Sequence, residues 1–377
     1  MLASATTTTL LEGLQSVLHA ISTRAPLPVL RNVKIDCEIP NKMILTATDM
    51  NLGFSIRRTL PAIVEESGSI TAEGRMLNDV IGSFPANTEA KISLKEGLLA
   101  IHWTKGEHSL PTIPADDFPV VPEISDGKNL TISGSNMEHL IKNTEFASSN
   151  DPTSGVCTGI LMETEGNRIT LVATDTHRMA IAQATLAKEA TDPQSVIIPA
   201  RVLREIKRIL GSSDIDLLEM DIDASHIQFQ TPEMLTICQR LQGQFPDYQR
   251  VVPKETQRTV EANVQEFLAA TRSSSIHAPQ HSRRVILRIQ NEEMCVESEA
   301  PEAGSGLQNV PITLNGEQID IAFNASFIID FLSIISSEKA ELGLNENHQA
   351  AILKPTENDA AGNDFRYVVM PMQLPEG

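Results

Sequence analysis

The sequence predicts an α+β fold made of three tandem copies of one domain-sized module, each with two short helices packed on antiparallel sheets. Two observations predict it. Marker segments recur with a single period of about 125 residues, and short amphipathic helical patterns alternate with runs of short strands. The chain has 377 residues, which suits two or three domains of ordinary size. Apolar residues make up 41% and aromatics only 4%, so real cores can form and must be largely aliphatic.

Three markers carry the repeat. An apolar step, a turn-like stretch and a short helical pattern fill residues 70–85, 197–211 and 321–335. Leu77, Leu203 and Phe327 hold matching places, 126 and 124 residues apart. Thr46-Ala47-Thr48-Asp49 returns as Val172-Ala173-Thr174-Asp175 and, degenerately, as Cys295-Val296-Glu297-Ser298-Glu299, with final acids again 126 and 124 apart. The pair Phe118-Pro119 returns 127 residues later as Phe245-Pro246. The expected modules are residues 1–125, 126–253 and 254–377. A period this long means triplicated domains, since solenoid repeats are 20–50 residues.

Each module opens on an apolar stripe. Leu10, Leu11, Leu14, Val17, Leu18 and Ile21 form the first. Met137, Leu140, Ile141 and Phe146 form the second, and Val264, Phe267, Leu268 and Thr271 the third. Spacings of three and four place these side chains on one helix face. The predicted helical windows are 10–24, 75–84, 137–147, 201–209, 263–272 and 325–335. Residues 91–94, 98–103, 217–222, 227–230 and 284–289 read as short, largely alternating strands. Glu96-Gly97, Asp126-Gly127, Glu165-Gly166-Asn167 and Asn315-Gly316 supply turns between them. Helices collected on one side of antiparallel sheets give the α+β layering.

The formal net charge is −19, which argues against a uniformly basic nucleic-acid wrapper but leaves room for a local strip. The six helical windows together carry +1, so the acidity lies outside them. The most basic stretch holds Arg201, Arg204, Lys207 and Arg208, with Glu205 among them; Arg24 and Lys142 are further cationic candidates. Loosely placed charges of this kind suit a phosphate-facing surface without base reading. Cys37, Cys157, Cys238 and Cys295 have neither metal-ligand nor disulfide-scaffold spacing, which points to reducing cytosol. Residues 1–9 lack the basic start of a signal peptide, and no run of 18 apolar residues suggests a membrane span. The expected location is cytoplasmic.

No P-loop, dinucleotide fingerprint, zinc-protease helix, EF-hand or nucleophile elbow occurs. Asp175 and His177 are two apart and would share a strand face, a conceivable acid/base or metal pair. Asp49, however, holds the matching place before different neighbours, so the acid reads as a turn device. Asp116, Asp117 and Asp247 lie in connector-like segments beside the two Phe-Pro pairs. No catalytic residue, metal or cofactor is expected. At the C-terminus, Met370 and Met372 flank Pro371 behind an apolar strand. They read either as core or as a soft apolar pocket.

The sequence resembles the family of bacterial DNA polymerase III β subunits, the sliding clamps. The residues that carry the resemblance run from Arg24-Ala25-Pro26-Leu27-Pro28-Val29-Leu30 and Thr46-Ala47-Thr48-Asp49 through Leu110 to Pro119. They continue through Val172 to Met179 and Gln244 to Pro253, and end with Tyr367 to Leu374, in family order across the whole chain. The resemblance implies a head-to-tail homodimer, closing six modules into a ring around duplex DNA. The ring slides without sequence preference, is opened by a clamp loader, and has no catalytic site. It confers processivity by tethering the replicative polymerase and other replication or repair proteins.

Those partners would dock short, largely apolar peptides between modules two and three. The family's pocket maps onto Thr174, Thr176, His177, Arg178 and Met179 on one wall, and onto Pro246, Arg250 and Val251 on another. Val368, Met370, Pro371, Met372 and Leu374 complete it. Arg178 and Arg250 would fix the peptide. The DNA-facing positions are Arg24, Arg75, Arg201 and Arg208. Gln373, Cys157, the polar residues 273–275, His108 and the extension through Gly377 depart from the family pattern and bear on dimer strength and peptide preference. The alternative is a clamp-like monomeric or adaptor scaffold that binds peptides without encircling DNA. A hydrolase using Asp175 and His177 is a further class, and it would need bound metal or turnover.

Overall fold

The computed structural model describes residues 1–21, 27–51, 53–124, 127–212, 215–357 and 362–374. Among them are six α-helices set between antiparallel strands: α1 (Thr7–Leu18), α2 (Gly74–Gly82), α3 (Gly134–Lys142), α4 (Ala200–Ser212), α5 (Val264–Ser275) and α6 (Ala325–Ile334). The starts of α2, α4 and α6 fall 126 and 125 residues apart, so the structural repeat keeps the beat of the sequence markers.

One local device recurs at the helix starts. A strand runs straight into a helix, and its last residue is the cap. The Thr6 hydroxyl accepts the N–H of Thr9 at 3.2 Å. The Glu73 carboxylate accepts from Met76 at 2.5 Å, and Asn263 accepts from Gln265 and Glu266 at 3.0 and 3.2 Å. Asn324 accepts from Ser326 at 2.9 Å. Each bond satisfies an N–H that the first turn leaves open. The Thr6 cap also explains a shifted boundary. The hydrophobic stripe suggested a first helix from residue 10, but it begins at Thr7 because the cap admits three threonines into the first turn. Phe146 lies not in α3 but in the separate 3₁₀ turn Glu145–Ala147.

The chain divides into two compact units, residues 1–133 with 208–240, and residues 134–207 with 241–377. In the first unit, strand Phe54–Pro61 pairs with Lys42–Asp49 on one side and with Met234–Gln239 on the other. That second pairing joins segments far apart in sequence into one 13-stranded sheet. α1 packs on α2, and Gly74 lets them meet. A Cβ there would lie 2.7 Å from Ile21 and 2.8 Å from Leu18. The single tryptophan, Trp103, stacks on Phe84 with ring centroids 5.2 Å apart.

The second unit repeats the scheme. Strand Arg178–Thr185 pairs with Arg168–Thr174 and with Asp364–Val369, within a 12-stranded sheet. α5 packs on α6. The aromatic residues of the chain concentrate here: Phe331 of α6 lies 5.5 Å from Phe365 and 5.6 Å from Tyr367, and Phe146 lies 5.4 Å from Tyr367. Cys37, Cys157 and Cys238 are buried free thiols and Cys295 is partly exposed. Burial, with the Asp36 charge, pushes the Cys37 thiol up to about 11.

Candidate functional site

The second unit carries an apolar cluster that draws on four separate stretches of the chain. Leu161, Val172, Met179 and Ile181 come from neighbouring strands, Ile197 from the strand before α4, and Val368 from the last strand. Phe245 reaches in from the connector after residue 240. Val156, Leu241, Tyr248, Val252, Ala350 and Ile352 pack against it, partly exposed. Gly159 keeps the floor closely packed: a Cβ there would lie 2.7 Å from both Ile197 and Leu241. The Tyr248 hydroxyl donates to Glu163 at 2.8 Å and pins the connector to the strand beneath.

The turn at 174–178 forms one edge. Asp175 behaves as a turn acid: its Oδ1 accepts the N–H groups of His177 and Arg178 at 3.1 and 3.0 Å. Asp49 accepts from Asn51 at 3.0 Å in the matching hairpin. Thr174 is buried, donates to the Arg178 carbonyl at 2.7 Å and accepts from the N–H of Thr176 at 3.1 Å. Thr176 has φ +77°, a left-handed backbone uncommon for a β-branched residue. Thr176 and His177 are exposed, while Met179 faces inward.

Arg178 is turned away from solvent, with its side chain 11% exposed. Its Nε donates to Asp175 at 2.9 Å, Nη1 to Asp330 of α6 at 2.5 Å, and Nη2 to the Phe146 carbonyl at 2.8 Å. The guanidinium lies 4.6 Å from the Phe327 ring centroid and 5.6 Å from that of Phe146. Burial works against its charge, but Tyr367, Asp330 and Asp175 outweigh burial and hold it above the ordinary arginine value. Arg250, by contrast, is 85% exposed and pairs with Asp247 at 2.7 Å.

The C-terminal residues leave the sheet in steps. Val368 is buried. The Met370 N–H donates to the His177 carbonyl at 2.9 Å, which ties the two edges together. Beyond Pro371, the Met372 N–H donates to the Ala322 carbonyl at 2.7 Å. The carbonyl of Gln373 accepts from Arg284 at 3.2 Å. Met370 is exposed, and Pro371, Met372 and Leu374 are half-buried. Pro246 and Val251 are exposed on the connector.

The structure thus brings Met179, Val368 and the turn residues to one apolar floor, with Pro246 and Val251 on the connector that covers it. Leu161, Val172, Ile181, Ile197 and Phe245 are additions that sequence reasoning missed. Val172, Ile197 and Phe245 lay in the repeat markers and so carried a signal; Leu161 and Ile181 carried none. Among the cationic candidates, Arg75 is exposed on α2, and Arg201 and Arg208 are exposed on α4. Arg208 meets His19 at 3.0 Å. Arg204 and Lys207 are held by Glu145, so part of the basic helix serves internal pairing. Arg24 lies outside the described residues. Among the described residues, no cluster of three or more His, Cys, Asp or Glu side chains could hold a metal ion, and no helix is long and apolar enough to cross a membrane.

A threefold strand-and-helix repeat with antiparallel sheets defines a protein of the clamp class. Family models of the DNA polymerase III beta subunit match the chain in three parts: the N-terminal domain over residues 1–122, the central domain over 131–247 and the C-terminal domain over 249–373. The beta sliding clamp of Pseudomonas aeruginosa is 30% identical over 365 residues, 97% of this chain and 98% of that protein. That of Vibrio cholerae is 28% identical over 365 residues, with the same coverage. The crystal structure of the P. aeruginosa subunit superposes with a TM-score of 0.93 at 29% identity, covering 99% of this chain and all of the other. The Bartonella birtlesii clamp, solved with griselimycin bound, gives 0.93 at 26% identity, with 99% of this chain and all of that one covered. The chain belongs to the DNA polymerase III beta subunit family. It is a DNA sliding clamp, a non-catalytic processivity factor of DNA replication.

Proposed function

We propose that two copies of this chain close head to tail into a ring around duplex DNA in the cytoplasm. A clamp loader opens the ring, and the replicative polymerase and other partners hold it through short apolar peptides. The modules are residues 1–125, 126–253 and 254–377. The observation that carries the docking reading is the apolar floor of Leu161, Val172, Met179, Ile181 and Val368 beside an exposed turn and an exposed Met370. Partly exposed apolar walls with few polar groups suit a site that anchors side chains and orients them through backbone atoms. Thr174, Thr176, His177, Met179, Pro246, Arg250, Val251, Val368, Met370, Pro371, Met372 and Leu374 contribute to it, with Arg178 beneath the turn.

The dimer reading is supported by two half-paired strands. Residues 106–111 pair only with Leu98–Trp103, and residues 304–311 only with Glu293–Ala300, among the described residues. Exposed sheet flanks call for a partner, and Leu307 stands 58% exposed on one of them. A closed homodimer would cover both flanks. The monomeric or adaptor alternative leaves them open, and no observation favours it.

The ring is tested by topology. The protein is loaded onto nicked circular plasmid with a bacterial clamp loader and ATP, and half of the isolated complex is then linearised. Loss from linear DNA with retention on circles, in moderate salt, is expected. Equal retention on both would overturn the ring. Charge reversal at Arg75 and Arg201 together should lower loading several-fold and should flatten the salt dependence of the remaining yield, because fewer counterions are released.

Peptide docking is tested by Met372→Ala. A fluorescein-labelled octapeptide ending in Leu-Leu-Phe should bind this variant about fivefold more weakly, a loss of about 1 kcal/mol. Sedimentation should show the dimer unchanged. Dissociation of the dimer would instead assign Met372 to assembly.

A further inference from the structure

The geometry points to Asp330 of α6 as a positioning residue for the docking pocket, acting through Arg178. This inference rests on the docking reading above. The family resemblance places Arg178 among groups that fix a bound peptide, but its surroundings leave it little freedom to do so. Every guanidinium nitrogen already donates within the protein, to Asp175, Asp330 and the Phe146 carbonyl. The faces of the group lie against Phe327 and Phe146. A planar fork held in this way cannot turn toward a ligand without breaking charge-assisted bonds. Its work is to hold the turn.

The turn needs holding. Thr176 at φ +77° is a backbone state that a β-branched residue keeps only where its surroundings over-determine it. Local bonds do part of this, from Thr174 and Asp175 to the N–H groups of residues 176–178. The turn also fixes the exit of the C-terminal strand, since the His177 carbonyl accepts from Met370. Asp175 lies in the turn itself and the Phe146 carbonyl comes from 32 residues earlier. Asp330 is the distant one, 152 residues on. With Phe327, one turn earlier on α6, it anchors the guanidinium to the helix. Position of α6 and shape of the pocket edge are therefore linked through one side chain. Arg178 is the buried partner, but in Asp330→Asn it keeps the Asp175 carboxylate and the Phe146 carbonyl, and position 330 is itself 40% exposed, so the fold should be spared.

The test uses the full-length dimer with the wild type, Asp330→Asn, Asp330→Glu and Arg178→Lys. Two readouts are taken: anisotropy of the labelled Leu-Leu-Phe octapeptide, and hydrogen exchange at the amides of residues 176–178. Asp330→Asn should weaken the peptide about fivefold and speed exchange in the turn by a similar factor, with an unchanged melting midpoint. Arg178→Lys should do the same, because an ammonium cannot serve three acceptors in one plane. Asp330→Glu keeps the carboxylate and should stay within about twofold of wild type on both readouts. Wild-type affinity and wild-type exchange in Asp330→Asn would overturn the assignment. If the wild type itself ignores the peptide, the docking reading fails on its own. The exchange data then still decide whether Asp330 holds the turn: faster exchange in Asp330→Asn supports it, and unchanged exchange rejects it.

Discussion

Phe331→Ala should lower the stability of the second compact unit by about 3–5 kcal/mol. Phe331 is fully buried on the inner face of α6, stacks on Tyr367 and meets Phe365 at a tilt of 32°. Truncation removes the transfer energy of the ring and leaves a cavity beside two other rings that cannot all shift to fill it. It also removes the support for Tyr367, whose buried ring packs between Phe331 and Phe146 beneath Arg178. Trp103, the only tryptophan, belongs to the other unit, so its fluorescence reports a different part of the molecule from Phe331. In a urea titration of the variant, circular dichroism should show an early partial transition while tryptophan fluorescence keeps its wild-type midpoint. Two probes that part company are the sign of more than two states. If both midpoints move together, the units unfold as one. If the shift corresponds to less than about 1 kcal/mol, the aromatic cluster is not the core of its unit.

Periodic features of this fold were legible in the sequence because they are local. Apolar spacings of three and four marked all six helices, and the recurring Asp49 and Asp175 marked equivalent hairpins, where both acids do act as turn devices. The two-unit division was not legible. It depends on strand Met234–Gln239 pairing with Phe54–Pro61, and nothing in either segment announces which edge it will meet. The apolar cluster was half legible. Met179, Val172 and Val368 sat in recognisable motifs and Ile197 opened a repeat marker, but Leu161 and Ile181 look like any strand residues, and alternation does not tell which sheet face another segment will cover. Charge misled in one respect. Counting gave the helix at 201–209 a net +3, whereas Glu145, from a turn some sixty residues earlier, holds Arg204 and Lys207.

The two Phe-Pro pairs allow the proposed docking site to be separated from the scaffold by an internal control. Phe245 plugs the connector into the pocket cluster and so places Pro246, Arg250 and Val251. Phe118, its counterpart, packs on Val29 and Leu30 in the other unit, away from that cluster. Both rings are buried to a similar degree, so Phe245→Ala and Phe118→Ala should each cost about 3 kcal/mol of stability in their own unit. Their effects on peptide binding should diverge. Without Phe245, the connector loses its one fully inserted ring and is left with the partly exposed Leu241, Tyr248 and Val252, the Leu241–Ile197 bridge and the Tyr248–Glu163 bond, so the octapeptide should bind at least tenfold more weakly, a loss of about 1.4 kcal/mol or more. Without Phe118, affinity should stay within about twofold, because mutations with no shared partners act independently. Equal losses in both variants would mean that peptide binding follows global stability. Wild-type affinity in Phe245→Ala would mean that the connector does not shape the site, and the docking floor would then have to be redrawn around the turn at 174–178 and the C-terminal strand alone.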